Sequence, residues 1–142
     1  MRKILVAIDG SDTSLRALDF AVQQARLAPA AELQVLTVQP LASTTTAWEI
    51  YVSAEKLREI AAERARAILE EAGGRLTAAG CRYALEQLEG EPAETIAGRA
   101  AQLGCESITM GTRGAGQVSI LVMGSVAQRV VYHATVPVTL VK

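Results

Sequence analysis

The chain has 142 residues, with 15 Asp and Glu against 14 Lys and Arg for a formal net charge of −1, and half of it is hydrophobic, which reads as one soluble globular domain over residues 1–142. A chain of this length buries roughly 70% of the surface its unfolded form exposes, so it needs neither disulfide nor structural metal for a core, and disorder is excluded. The near balance of charge, without a basic run, argues against nucleic acid as a partner, because affinity for a phosphate backbone comes from clustered Lys and Arg.

Phe20, Trp48, Tyr51, Tyr83 and Tyr132 are too scattered to suggest a base-stacking platform, so the core is expected to be aliphatic. No apolar stretch approaches the ~20 residues of a bilayer span, and insertion into a membrane is not expected. The N-terminus enters a charged, structured pattern without a signal-peptide h-region, which makes the cytoplasm the expected compartment. Cys81 and Cys105 share no metal or redox spacing and read as two reduced, small hydrophobes.

Residues 4 to 8, Ile-Leu-Val-Ala-Ile, form a continuous apolar run ending at Asp9-Gly10-Ser11, the pattern of a strand covered on both faces. Leu15, Leu18, Val22 and Ala25 then recur at helical spacing to about Ala28, behind Ser11 and Asp12, either of which can cap the helix. Leu33 to Val38 is a second strand closed by Pro40, and the separation suits a right-handed βαβ crossover. The segment Leu41 to Ala47, with its Ser-Thr-Thr-Thr run, carries no period and reads as a mobile loop.

Leu57, Ala61, Ala65, Ile68, Ala72 and Leu76 make a helical stripe opposite a Glu/Arg face that includes Glu70 and Glu71, and Gly80 stands in the position of a left-handed cap. Tyr83 to Leu88 is a third, less hydrophobic strand expected nearer an edge. Gly90-Glu91-Pro92 opens a third helix with proline in its first turn, Ile96, Ala100 and Leu103 supply its buried face, and Gly104 ends it. Ser107 to Met110 is a fourth strand, Gly124-Ser125 opens a fourth helix, and Val136 to Val141 is the last strand. Strands alternating with helices predict an α/β fold, a doubly wound parallel sheet of five strands with helices on both faces.

In such sheets ligands bind beyond the carboxyl ends of the strands, where Asp9, Gln39 and Gly111 stand. Gly111-Thr112-Arg113-Gly114-Ala115-Gly116-Gln117 follows the fourth strand, and Gly124-Ser125 opens the next helix, a G-x-x-G-x(9)-G-S spacing. Glycine lets backbone N–H groups approach an anion, the helix start offers unpaired donors, and Ser125 and Arg113 can add a hydroxyl and a cation. The alternative, a floppy surface turn, is weaker because the motif runs from strand end to helix start. No Gly-Lys-Ser/Thr closes it, so binding of phosphate is better supported than hydrolysis.

Taken together, Ile4 to Ser11, Leu36 to Pro40, Gly90 to Ile96, the glycine motif, and Gly124-Ser125-Val126 through Val136-Pro137-Val138 resemble the universal stress protein family over essentially the whole chain. The resemblance implies a Rossmann-like fold of the adenine nucleotide alpha hydrolase type and an ATP site, with or without Mg²⁺, as found in the family's nucleotide-binding branch. It implies that Ala7 and Asp9 border the adenosine, that the backbone at Val38 reads the adenine edge, and that Gly111, Thr112, Arg113, Gly114, Ala115, Gly116 and Gln117 hold ribose and phosphates. Gly124, Ser125 and Val126 would complete the phosphate cradle. Met123 stands where leucine is common in the family, a volume-conserving exchange. The family also implies a homodimer through the last strand, Val136 to Val141, whose unpaired edge would pair with its own copy.

Asp9 can accept a ribose hydroxyl or help hold Mg²⁺, or can cap the first helix; Asp12 belongs with the helix start. His133, the lone histidine, reads as an ordinary residue near a helix end. The leading expectation is a nucleotide-dependent sensor or regulator in stress response with an unidentified protein partner. A slow ATPase or autophosphorylating protein, modified at Thr112, Ser119 or Ser125, is the enzymatic alternative. A response-regulator receiver is imitated by Asp9, Asp12 and Thr112 but lacks an aspartate after the third strand, where Glu89-Gly90-Glu91 stands. A dimeric interaction module indifferent to nucleotide stays open.

Overall fold

The apolar run at residues 4 to 8 becomes the centre of the protein because both of its faces find cover. In the computed structural model, which describes residues 2–41, 53–113 and 123–142, the elements follow as β1 (Lys3–Ala7), α1 (Asp12–Leu27), β2 (Glu32–Gln39), α2 (Ala54–Ala78), β3 (Arg82–Glu89), α3 (Pro92–Gln102), β4 (Ser107–Gly111), α4 (Ser125–His133) and β5 (Val138–Val141). The alternation of β1 sorts the core into two layers. Ile4, Val6 and Ile8 pack with Leu18, Val22, Leu33, Val35, Ile68 and Leu76 beneath α1 and α2. Leu5 and Ala7 pack with Leu36, Ile96, Ala100, Ile108, Met110 and Val130 beneath α3 and α4.

All strand pairs are parallel and the order is β3-β2-β1-β4-β5. The chain winds outward from β1 to β3, returns, and winds the other way through β4 to β5, so the direction reverses between β1 and β4 and opens a crevice above their carboxyl ends. A receiver-type sheet has the order 2-1-3-4-5, so the observed order removes that alternative. The expected five-stranded doubly wound sheet is present, and β3, with a largely exposed burial pattern, is an edge strand as its composition suggested.

The differences from expectation are local. The last strand begins at Val138 rather than Val136, because Pro137 has no N–H to give the ladder; its carbonyl instead accepts from Ile108 N at 2.9 Å. Helix α4 includes His133, whose ring meets Tyr132 edge-on at 5.0 Å. The buried stripe of α2 is Ala65, Ile68, Ala72 and Leu76, whereas Leu57 and Ala61 are only partly covered. Length explains this. The 25 residues of α2 span about 37 Å, while the eight of β2 span about 26 Å. Since α2 returns the chain from β2 to a parallel β3, its surplus first turns extend beyond the carboxyl edge of the sheet, and Ile60 is left 49% exposed. The Gly80 cap is as expected, with φ +70°. Of the predicted loop at Leu41 to Ala47, residues 42–47 lie outside the described residues.

Candidate functional site

The turn after β1 is built to launch α1 from beneath the crevice. Gly10 takes φ +85°, a left-handed conformation, and a Cβ there would stand 3.0 Å from Ile68 Cγ1. Ser11 is the N-cap, its hydroxyl accepting from Ser14 N at 3.2 Å. Asp9 is not the cap but the residue that holds it: one carboxylate oxygen accepts from Ser11 N at 2.9 Å and from the Ser11 hydroxyl at 2.5 Å. Asp12 sits in the first turn of α1, where its charge favours the helix dipole.

Across the crevice, β4 ends at Gly111, whose lack of a side chain has a different cause from the one its motif suggests. A Cβ would lie 2.8 Å from Thr13 Cγ2 and 3.1 and 3.2 Å from backbone atoms of Thr13 and Ser14. Gly111 is therefore required for β4 to pack against the start of α1, and the conformational freedom of glycine is not used. Beyond it, Thr112 N donates to Val141 O at 2.9 Å, and Thr112 O accepts from Gly124 N at 2.6 Å, so the start of α4 is tied directly to the end of β4.

Helix α4 begins unlike the other three. Side chains cap α1 through Ser11, α2 through Ser53, which accepts from Lys56 N, and α3 through Glu91, which accepts from Glu94 N at 2.7 Å. Gly124 stands at the N-cap of α4 and offers no side-chain acceptor. A helix leaves its first N–H groups without intrahelical partners and concentrates positive dipole there. The position of α4 is held from outside: Arg129 donates to Glu91 at 2.6 Å, and Gln128 Nε2 donates to Met123 O at 2.8 Å. The hydrogen bond from Glu94 N, with Arg129 beside it, holds the Glu91 carboxyl below its ordinary range.

These pieces border one cleft of about 310 Å³ above β1, β2 and β4. Of the residues expected from sequence, Ala7, Asp9, Val38, Gly111, Thr112, Arg113, Gly124, Ser125 and Val126 all line it. Gly114, Ala115, Gly116 and Gln117 lie outside the described residues. Sequence reading missed Ser14, Pro40, Arg64, Pro92 and Met110, which also line the cleft. Pro40 directly follows β2 and was legible as such; Arg64, on a helix far from any motif, had no sequence signal. Among the described residues no trio of His, Cys, Asp or Glu is placed to hold a metal ion, and no helix is long and apolar enough to cross a membrane.

Fold and cleft together define a doubly wound α/β protein with a ligand-sized hollow at its topological switch point, lined by Val38 and Pro40 at β2 and by the start of α4, which has no side-chain cap, beside β4. The chain matches the Universal stress protein family over residues 1–142, and it belongs to that family. It is 36% identical to universal stress protein YxiE of Bacillus subtilis, covering 99% of this chain and 98% of that one. Among solved structures, universal stress protein UspA from Lactobacillus plantarum superimposes with a TM-score of 0.86 at 25% identity, over 99% of this chain and 97% of the other. A universal stress protein in complex with cAMP matches with a TM-score of 0.75 at 27% identity, over 99% and 97%. One from Archaeoglobus fulgidus in complex with dAMP matches with a TM-score of 0.64 at 26% identity, over 100% and 98%.

Proposed function

We propose that the cleft binds an adenine nucleotide, ATP foremost, and that occupancy makes the protein a nucleotide-dependent regulator in stress response. The observation that carries this is the uncapped start of α4 opening into the same hollow as the apolar carboxyl end of β2. An anion beside Gly124, Ser125 and Val126 would take the donors that no side chain takes, as phosphates do at helix N-termini generally. Two strands away, Val38 and Pro40 offer a surface suited to a planar base, and Val38 is the residue whose backbone would read the adenine edge. Relatives solved with cAMP and with dAMP support an adenine compound as the class of ligand.

Within this reading Asp9 accepts a ribose hydroxyl, Gly111 to Gln117 wrap ribose and phosphates, and Arg113 adds a cation. Any Mg²⁺ would enter on the triphosphate, with Asp9 as the carboxylate among the described lining residues. The absent Gly-Lys-Ser/Thr makes binding, rather than turnover, the proposed act. A ligand that binds one conformation better shifts its population, which suffices for regulation in the cytoplasm without fast chemistry. Calorimetric titration with ATP, with and without Mg²⁺, is expected to show saturable heat; none at millimolar nucleotide would eliminate the proposal. A second copy of the chain pairing along β5 would satisfy that strand's open edge. Light scattering at micromolar concentration should then report a dimer, and a strict monomer would count against it.

A further inference from the structure

Arg64 is the cleft-lining cation that no motif contains. It lies on α2, in the part of the helix that reaches the carboxyl edge of the sheet, and it lines the same hollow as Asp9, Gln39 and Pro40. Of the other cations of α2, Arg66 pairs with Glu63, Lys56 with Glu59, and Arg75 with Glu71 and Asp19, while Arg58 has no ion pair among the described residues and, unlike Arg64, does not line the cleft. Arg64 is exposed and makes no ion pair among the described residues.

Its place relative to the phosphate end follows from topology. Helix α2 packs on β2 and β3, under the sheet face that α1 shares, whereas Gly124 to Val126 open α4 on the opposite face beside β4. Strands β2 and β4 are separated by β1, so two strand spacings, about 10 Å, divide the Arg64 end of the cleft from the glycine and Ser125 end. That separation approximates the reach from a purine ring to the phosphates of a nucleotide, which leaves Arg64 at the base rather than at the anion.

We propose that Arg64 closes the β2 end of the cleft over the ligand's nucleobase, its planar guanidinium stacking on the ring while Val38 and Pro40 support the other face. The inference rests on the adenine-nucleotide reading and adds to it a specificity-determining contact. Guanidinium planes stack on π systems in a way that an ammonium does not reproduce, and such contacts change affinity by on the order of five- to tenfold.

The experiment is a set of calorimetric titrations of wild type, Arg64→Ala and Arg64→Lys with adenosine, ATP and inorganic triphosphate, with thermal melting as the check on folding. Because Arg64 is exposed, both variants are expected to melt with wild type. Arg64→Ala should weaken adenosine and ATP by the same factor and leave triphosphate unchanged, and Arg64→Lys should recover only part of the loss. A loss for ATP and triphosphate with adenosine untouched would make Arg64 a phosphate contact and overturn the inference. Unchanged affinity for all three would overturn it while leaving the nucleotide reading intact. Wild type that binds neither adenosine nor ATP would overturn both.

Discussion

Two of the helices that start at the cleft, α1 and α4, treat their N-termini in opposite ways. At α1, Ser11 caps the helix, Asp9 fixes Ser11, and the buried Thr13 and Ser14 are pressed against Gly111. At α4, Gly124 provides no cap, and the helix is held instead through its flanks by Thr112, Met123 and Glu91. One start is a joint closed within the chain by a side-chain cap on Ser14 N. The other has no side-chain cap and is anchored through Gly124 N, Gln128 and Arg129, so the two neighbouring helices are secured by different means.

The contrast can be broken from either side. The largest effect is expected from Gly111→Ala, because the new Cβ meets backbone and not only a side chain tip; the cost should be about 2 kcal/mol or more in denaturant unfolding. Next, Gly124→Asp places an anionic cap where the phosphates are proposed to lie. With φ −61° at this site the backbone tolerates a side chain, so melting should not fall, yet ATP affinity should drop about tenfold or more. Removing the cap of α1 with Ser11→Ala should cost about 1 kcal/mol of stability, with a smaller effect on ATP.

The smallest effect concerns pH. Glu91 is held below its ordinary carboxyl value chiefly by the Glu94 N–H. Its contribution is therefore complete above the unfolded value and is lost as pH falls through the lowered folded value. Glu91→Gln should flatten that acid limb of the stability curve slightly, an effect readable by melting between pH 5 and pH 3 (about the range of ordinary carboxyl titration).

Much of this was legible from residue pattern. A run such as Ile4 to Ile8, apolar at every position, five residues long and closed by Asp9-Gly10-Ser11, reads as a strand covered on both faces, and the turn residues Gly10, Gly80 and Gly104 stand where left-handed φ is needed. The convergence of Asp9, Gln39 and Gly111 was legible because each ends or follows a strand at the same edge of the sheet, whereas Ala7 and Val38 were expected only from the family resemblance. Three things were not. The role of Gly111 depends on what touches it, and a glycine freed for an anion looks the same in sequence as one crowded by Thr13. The reach of α2 depends on its length relative to the strands, so Leu57 matched the helical period without matching the core. Arg64 contributes by overhang, and a surface arginine on an amphipathic helix carries no mark of the hollow it borders.

The central position of β1 has a consequence for how the protein comes into being. Ala7 lies beside Met110 across the sheet, so the hollow has two walls contributed by residues about a hundred positions apart in the chain. Loop closure over such a distance is slow compared with the local βαβ step that joins β1 to β2. During synthesis the β1–β2 wall therefore forms early, while the β4–α4 wall waits for the last quarter of the polypeptide. A nucleotide bound as proposed would therefore stabilise only chains in which both walls are in place, and would favour the finished fold without assisting its early steps.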